Sequence, residues 1–415
     1  MRILFLTYFR RKVGGTESYL NAIIPAYRRR GNDVSVCYTD EGPTNRQPFE
    51  FADEIQQWRL EISGHATTLG QIKDWRPDLI FCHGTTDLAF EADILKLAPG
   101  IFFAHNYYGT CISGHKTHKF PVPLPCTRLF GPGCLLQYFP RRCGGRSPIT
   151  MIKLYSEQAQ RLRILRSYAV IATNSDHLSV EYDRHGFNTH RLPYPVFADN
   201  SERPRIARPD SHQRWQLLFV GRMDNLKGGL VLLDALPEIR SGVDREVELV
   251  FAGDGPERKR WERKAARVRS SSKGIHITFK GWLDKTALNR TISQADLLVV
   301  PSLWPEPCGV VGVEAGLYSI PAAAFSVGGI PEWLRDGENG YLAPGNPATP
   351  SGLASAVVRA LAPENYSRLC VGARSLALNW TLERHCEAFD RLVEKVMKLT
   401  AVELQAKPSQ DAIPI

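Results

Sequence analysis

Two glutamates, Glu306 and Glu314, are the residues of this sequence whose types and spacing most directly suggest chemistry. An apolar run at 295–302 predicts a β-strand before them, and residues 315–318 continue a run that predicts a short helix. Apolar neighbours surround Glu314 on most faces of that helix, so its carboxylate should be buried, which is costly unless a donor meets it. The vicinal hydroxyls of a ribose would do so. The alternative is one surface glutamate and one that is satisfied by its own core.

Glu306 should lie in the loop between that strand and that helix, where backbone N–H groups beside glycines can face a ligand. A second motif has the same layout: residues 216–220 predict a buried strand, Arg222 follows it, and Lys227 precedes two glycines and the apolar helix predicted at 230–236. Glycines at such a junction let the backbone approach a phosphate, and the two cations neutralise its charge. Taken alone, both cations could equally be solvated loop charges.

Glycine turns recur after the later predicted strands. The strand at 249–252 ends in such a turn, Gly328 and Gly329 follow another strand just before a helix, and residues 336–340 form a turn cluster. Together with the motifs above, these segments resemble family 4 of the glycosyltransferases, which have the GT-B fold. The resemblance is specific from 221 to 340 and looser before residue 200.

The resemblance implies an α/β fold with two Rossmann-like domains that face each other across a cleft. It also implies roles for single residues: Glu314 binds the nucleotide ribose, Glu306 contacts the donor sugar, and Arg222 and Lys227 hold the diphosphate. His105, which ends a predicted strand, would lie near the donor sugar.

This chain departs from the family immediately after Glu306. The family usually has Gly-Phe there, and this chain has Pro307-Cys308. The change leaves the backbone amides of Gly309 and Val310 available to a ligand, but the sugar preference of the family does not carry over.

The first half of the chain alternates predicted strands with helices, which favours a mainly parallel sheet with ligands at the carboxyl ends of its strands. Gly14 and Gly15 occupy such a position before a helix, although an ordinary turn would look the same. His83 and His105 end two strands of this half, and either could be a satisfied structural histidine. The sequence contains neither the Gly-x-Gly-x-x-Gly fingerprint of nicotinamide and flavin enzymes nor a kinase-type phosphate loop.

Length and composition are typical of a two-domain globular enzyme: 415 residues, 43% hydrophobic and 23% charged. The sequence contains no run of about 18 apolar residues and therefore predicts no membrane-spanning helix. The N-terminus resembles a first β-strand more than a signal peptide. We expect a cytoplasmic protein, or one held at the inner face of the membrane.

The expected organisation is a first domain at 1–198, a nucleotide-sugar domain at 199–380, and a last helix at 381–399 that returns to the first domain. The first domain should carry a basic, cysteine-containing insert at about 105–148. Residues 400–415 are expected to form a disordered tail.

Basic residues are concentrated between 101 and 170. Ten Lys and Arg residues against Glu157 alone give this segment a charge of +9, which equals the net charge of the whole chain. Aromatic residues lie among these charges, a combination that suggests contact with an anionic membrane or a lipid-linked acceptor. A solvated basic face is the alternative, and the absence of a nucleic-acid motif disfavours nucleic acid.

Four cysteines of the same segment could bind a structural zinc ion. Their spacing lacks the close Cys-x-x-Cys pair that marks such sites, so reduced thiols are the alternative. They are Cys111, Cys126, Cys134 and Cys143.

The motifs and the resemblance together predict a metal-independent hexosyltransferase that moves a sugar from a nucleotide-diphosphate donor to a glycan or lipid-linked acceptor in cell-surface polysaccharide or glycolipid synthesis. Retention at the anomeric carbon is what the resemblance implies. It has no Asp-x-Asp motif to hold a metal on the diphosphate, and no catalytic cofactor is expected. Arg222, Lys227, helix N-termini and the amides of the two Gly-Gly loops would meet the leaving-group charge. The alternatives are a nucleotide-sugar epimerase of the same fold and an inactive sugar-nucleotide-binding protein.

Overall fold

The computed structural model describes residues 1–12, 14–44, 46–51, 54–197 and 214–406. Its strands are β1 (Arg2–Phe9), β2 (Asp33–Asp40), β3 (Gln56–Arg59), β4 (Leu79–Cys82), β5 (Gly100–Ala104), β6 (Thr117–His118), β7 (Leu124–Pro125), β8 (Val170–Thr173), β9 (Thr189–Arg191), β10 (Arg214–Val220), β11 (Glu246–Ala252), β12 (Ile275–Gly281), β13 (Leu297–Val300), β14 (Ala322–Phe325) and β15 (Gly340–Ala343).

The α-helices of the described residues are α1 (Gly15–Arg29), α2 (Leu60–Ser63), α3 (His65–Trp75), α4 (Leu88–Ile94), α5 (Gly133–Tyr138), α6 (Pro148–Leu165), α7 (Asp176–Asp183), α8 (Gly229–Gly242), α9 (Arg258–Ser271), α10 (Lys285–Gln294), α11 (Val311–Gly316), α12 (Ile330–Trp333), α13 (Pro350–Leu361), α14 (Pro363–Ala377) and α15 (Leu382–Ala406). None of them is long and apolar enough to cross a membrane.

Two parallel sheets organise the chain. The first has the order β3-β2-β1-β4-β5-β8-β9, and the second has the order β12-β11-β10-β13-β14-β15. All pairings within both sheets are parallel. Strands such as β4, β5, β13 and β14 are buried along their whole length, as expected where helices cover both faces of a sheet. The predicted α/β class with two parallel-sheet domains is therefore confirmed.

The junction between the two sheets lies after β9 and before β10. The predicted domain boundary at 198/199 falls between residues 198 and 213, outside the described residues. Each sheet has its own hydrophobic core: Trp261 and Trp333 are fully buried in the second, and Tyr19 and Phe81 in the first.

Helix α15 belongs to the core of the first sheet, although it follows the second in sequence. Phe389 packs on Tyr27 of α1 at 4.8 Å between ring centroids, and Arg30 pairs with Glu383 at 2.9 Å and with Asp390 at 2.7 Å. The prediction that the last helix ends at 399 was wrong, because α15 continues to Ala406. Residues 401–406 carry no Gly or Pro that would stop it. The remainder of the expected disordered tail, 407–415, lies outside the described residues.

Between β5 and β8 the first domain carries the basic segment, which contains the short antiparallel hairpin of β6 and β7, and helix α5. A small core of its own forms around Ile112, Tyr138 and Cys143, against which the start of α6 packs. Lys116, which is buried, forms an ion pair with Glu181 of α7. This ion pair ties the segment to the body of the domain.

Candidate active site

Glu306 lies in the loop between β13 and α11, as the sequence predicts. It is 5% exposed, and its Oε1 atom accepts hydrogen bonds from Lys227 Nζ at 2.6 Å and from Ser302 Oγ at 2.5 Å. The desolvation cost of the carboxylate is therefore offset by a cation and a hydroxyl. The structure brings together Lys227 and Glu306, which are separated by 79 positions in sequence.

Lys227 is presented by a single 3₁₀ turn, residues Asn225–Lys227, that precedes α8. Asp224 caps this turn by accepting the N–H groups of Leu226 and Lys227. Gly228 follows with φ of +71°, and a Cβ atom there would lie 1.7 Å from the carbonyl oxygen of Pro301. The glycine after Lys227 is thus required for the turn to pack on the end of β13.

Gly328 and Gly329 pack directly on the backbone of the Glu306 loop. A Cβ atom on Gly328 would lie 2.2 Å from Glu306 O, and Gly329 N donates to the same oxygen at 2.7 Å. Trp333 Nε1 donates to Cys308 O at 2.7 Å. The Gly329 amide, expected to meet leaving-group charge, is therefore used inside the protein, where it holds the loop.

Helix α11 is largely buried, as predicted, but Glu314 is not. Its side chain is 28% exposed, and Lys285 Nζ lies 3.7 Å from Glu314 Oε1. Within the described part of the chain, the N–H groups of Gly309 and Val310, before the first turn of α11, donate to no other residue. Val310 also packs against the core of the first domain, so the start of α11 faces the opposite domain.

Arg222 is exposed, and no ion pair joins it to a carboxylate of the described residues. Its charge contributes to the lowered pKa of His115, for which burial is the main cause, so the basic segment of the first domain reaches the vicinity of Arg222. The ring of Trp304 is 6.1 Å from that of His115 and 5.4 Å from Lys227 Nζ, so it lies near both the basic segment and Lys227.

His105 lies against the other predicted histidine. His83 Nδ1 and His105 Nε2 form a hydrogen bond of 2.8 Å, and both imidazole rings pack beside the ring of Tyr19. Burial lowers the pKa of His105 to about 3 and that of His83 well below its usual value, so both are neutral. The Nε2 atom of His83 is buried without a hydrogen-bond partner among the described residues. His105 is half-buried, and its ring contacts those of Tyr19 and Phe103.

The Gly14-Gly15 loop is held from two sides. Gly14 N donates to Glu17 Oε2 at 2.8 Å, and Tyr194 Oη donates to Gly15 O at 2.8 Å. Burial raises the pKa of Tyr194, and the nearby charges of Glu314 and Glu17 raise it further. The Gly14 amide is thus occupied, and Tyr194 lies between the Gly14-Gly15 loop and Glu314.

The predicted zinc site is not formed. Among the residues that the structure describes, no three His, Cys, Asp or Glu side chains could hold one metal ion. Cys111 packs in the main core of the first domain, where its Sγ accepts from Lys116 N, whereas Cys143 belongs to the separate small core. Burial raises the pKa of Cys143 to about 11, which keeps it a thiol.

Sequence reasoning missed four residues of this region. Ser302 and Trp304 lie within four positions of Glu306 and could have been found by reading the whole loop. Tyr194 and Lys285 carry no local signal, because only the fold brings them to Gly15 and Glu314.

A family model described as "Glycosyl transferases group 1" matches residues 214–363, which contain Arg222, Lys227, both glutamates and the Gly328-Gly329 turn. The phosphatidyl-myo-inositol mannosyltransferase of Mycobacterium leprae is 34% identical over 148 residues, which are 35% of this chain and 37% of that protein. The match thus spans little more than a third of that relative's length.

Longer matches have lower identity. The glycogen synthase of Mycobacterium tuberculosis is 24% identical over 400 residues, which cover 86% of this chain and 85% of that enzyme. The structure of Anabaena HepE in complex with UDP and glucose superimposes with a TM-score of 0.65 at 18% identity, covering 96% of this chain and 99% of that one. At this identity the superposition shows a shared fold.

Proposed function

We propose that this chain transfers a sugar from a nucleotide-diphosphate donor to a glycan or lipid-linked acceptor, with retention at the anomeric carbon. The match of residues 214–363 to the group 1 glycosyl transferases and the GT-B fold support this proposal. Cell-surface polysaccharide or glycolipid synthesis is the process that would use such a reaction.

The contact between Lys227 and Glu306 carries the proposal. It joins a cation and a buried carboxylate at the carboxyl edge of a parallel sheet, where ligands of this fold class bind. The exposed guanidinium of Arg222 follows β10, on the same edge. Two positive charges with one carboxylate beside them suit a diphosphate joined to a polyhydroxylated ring.

In this proposal Lys227 and Arg222 bind the diphosphate, assisted by the N–H groups of Gly309 and Val310. Glu306 accepts from a hydroxyl of the donor sugar, and Glu314 accepts from the ribose. Because no hydrogen bond to a described residue uses those two N–H groups, they can meet charge that grows on the departing phosphate. The Gly15 amide is a further candidate donor, whereas those of Gly14 and Gly329 are occupied.

The transfer step needs no group beyond donor and acceptor. The bond between the anomeric carbon and the phosphate oxygen breaks, and the acceptor oxygen bonds to the same face of that carbon. The acceptor's proton passes to the departing phosphate. Lys227 and Arg222 stabilise the charge that this phosphate develops. In this proposal neutral His105, in the aromatic cluster of the first domain, is a catalytic residue that lies near the donor sugar.

The basic segment is the proposed contact with an anionic membrane. Seven of its large apolar side chains are exposed: Phe120, Val122, Leu129, Leu136, Phe139, Ile149 and Ile152. No Asp or Glu occurs between residues 94 and 156, and Arg142 stacks on the exposed ring of Phe120 at 4.6 Å. Exposed apolar side chains among unopposed cations suit the boundary between lipid head groups and acyl chains.

A panel of nucleotide sugars tests the proposed function. One of them should raise the melting temperature of the purified protein and, with a glycan or lipid-linked acceptor, should release its nucleoside diphosphate. An epimerase would convert the donor without an acceptor, and an inactive binding protein would show the thermal shift without turnover. Absence of a thermal shift with every donor would contradict all three functions.

A further inference from the structure

Glu332 of helix α12 reaches from the second domain to the first. Its two carboxylate oxygens accept the backbone N–H groups of Asp176 and His177, each at 2.9 Å, and it forms an ion pair with Arg191 at the end of β9. The side chain of Glu332 is 18% exposed. A carboxylate with three charge-assisted contacts in a sheltered position is held firmly.

These contacts complete the N-terminal cap of α7. Ser175 supplies the local part of the cap, because its side chain accepts Leu178 N at 3.0 Å and its carbonyl accepts Ser179 N at 3.0 Å. The first two N–H groups of the helix have no local partner, and the Glu332 carboxylate of the other domain accepts a hydrogen bond from each of them. If the domains move apart, both N–H groups and Arg191 lose this partner at once.

The same short helix also fixes the loop that carries Glu306. Trp333 directly follows Glu332, and its Nε1 atom donates to Cys308 O at 2.7 Å. A Cβ atom on Gly312 would lie 2.0 Å from the ring of Trp333, so the start of α11 fits tightly against the same indole. A shift of α12 would therefore be passed to the backbone on both sides of Gly309.

A second contact between the domains ends on the same loop. Tyr107 Oη donates to Pro305 O at 2.7 Å and contacts His177 Nε2 at 2.7 Å. His177 thus takes part in both contacts between the domains: its N–H group donates to Glu332, and its imidazole contacts Tyr107. Pro305 immediately precedes Glu306, so both contacts between the domains converge on the Glu306 loop.

We propose that Glu332 is a positioning residue that couples closure of the cleft to the placement of Glu306. Closure brings Glu332 to the start of α7, and Trp333 transmits the position of α12 to the loop. The catalytic part of this inference rests on the proposed function, whereas the mechanical part concerns the protein without ligands.

Hydrogen–deuterium exchange of the unliganded full chain tests the coupling. In Glu332→Gln, one oxygen and the charge are lost, so the amides of 176 and 177 should exchange faster. A peptide covering 309–318, in the other domain, contains hydrogen-bonded amides such as Glu314 N, which donates to Val310 O at 2.9 Å. It should also exchange faster if the contact positions the start of α11, which follows the Glu306 loop. Asp176→Asn is the matched control: Asp176 pairs with Arg191 at 2.9 Å but lies in the first domain and is 77% exposed. It should leave the exchange of 309–318 unchanged.

Trp333→Phe separates the contact of Glu332 with α7 from the contact of Trp333 with the Glu306 loop. It keeps Glu332 but removes the hydrogen bond to Cys308 O, so 309–318 should exchange faster while the amides of α7 stay protected. If Glu332→Gln deprotects α7 and leaves 309–318 unchanged, Glu332 is only a helix cap and the coupling is refuted. Unchanged α7 amides would show that the contact does not form in solution.

Turnover supplies the second readout. Glu332→Gln should lower kcat about tenfold, because the closed state loses a charge-assisted contact, while the dissociation constant of the bare nucleotide stays within about threefold. Equal effects on nucleotide binding and kcat would contradict positioning. If the wild-type enzyme transfers no sugar at all, the proposed function fails, and the exchange data still decide whether Glu332 couples the domains.

Discussion

Lys227 donates to Glu306 at 2.6 Å, so the cation proposed for the diphosphate lies against the carboxylate proposed for the donor sugar. In the proposed complex, a ligand that bridges the two shares Lys227 with Glu306, and its scissile bond lies beside the ion pair. The buried carboxylate of Glu306 depends on this cation, whereas the side chain of Lys227 is 26% exposed.

The first prediction concerns the two cations. Lys227→Ala and Arg222→Ala should each lower kcat/KM by about two orders of magnitude, since each removes roughly 3 kcal/mol of charge stabilisation from the transition state. Lys227→Ala should also destabilise the protein, because it leaves Glu306 buried with Ser302 alone, whereas exposed Arg222 carries no such penalty. Steady-state kinetics and thermal melting measure both effects.

Two results would contradict this assignment. Wild-type turnover in a folded Arg222→Ala or Lys227→Ala variant would remove the residue from the diphosphate site. Complete loss of activity in EDTA, reversed by magnesium, would show that a metal ion holds the diphosphate in place of these cations.

The second prediction separates the glutamates. Glu314→Gln should weaken binding of the bare nucleotide and of the sugar nucleotide alike, because both contain the ribose. Glu306→Gln should spare the nucleotide and reduce only sugar-dependent binding and turnover. Calorimetric titration of each variant with both ligands measures the difference, and equal losses in the two variants would contradict the separate roles.

The sequence predicted the strands, the glycine turns and the order of motifs, because local apolar runs and turn residues set these features. It also placed Glu306 correctly in its loop. It could not show that Gly329 N is used by Glu306 O, nor that His105 meets His83, since both contacts join segments far apart in the chain. The burial predicted for Glu314 was wrong for a related reason: periodicity gives the faces of a helix, but not which face the neighbouring domain leaves open.

The third prediction concerns Glu91, a fully buried carboxyl group that accepts Tyr168 Oη at 2.7 Å and Tyr108 Oη at 3.3 Å. Burial raises its pKa to about 7. Between its ordinary pKa and this value the native state holds a proton that the unfolded state releases, so the contribution of Glu91 to stability falls as pH rises through this window.

Glu91→Gln removes this titration. Relative to the wild type, the variant should therefore gain stability between pH 5 and pH 8, by roughly 3 kcal/mol at most. Chemical denaturation of both proteins at the two pH values gives the difference in stability, from which the titrations of other groups such as His83 and His105 cancel. A difference that does not change with pH would refute the raised pKa.

The fourth prediction tests the membrane surface. Reversing Arg141, Arg142 and Arg146 to Glu should abolish sedimentation with anionic vesicles at low salt, since each basic residue near such a surface contributes about 1 kcal/mol. Donor affinity should not change, because these residues lie outside the nucleotide motifs. The matched control reverses three exposed basic residues of α9 in the second domain: Lys259, Arg263 and Arg267.

Two further outcomes separate charge from apolar contact in that experiment. Leu136→Ser with Ile149→Ser removes side chains that are 77% and 80% exposed and keeps every charge. If apolar groups insert between head groups, this variant should bind vesicles more weakly even at low salt, and raising the salt should weaken its binding further.

If the α9 control loses binding as much as the reversal at Arg141, Arg142 and Arg146, the attraction comes from overall charge and not from this surface. If the wild-type protein does not bind anionic vesicles at low salt, the membrane role is refuted. The segment would then contact a soluble acceptor, and transfer to a glycan that carries no lipid would show this.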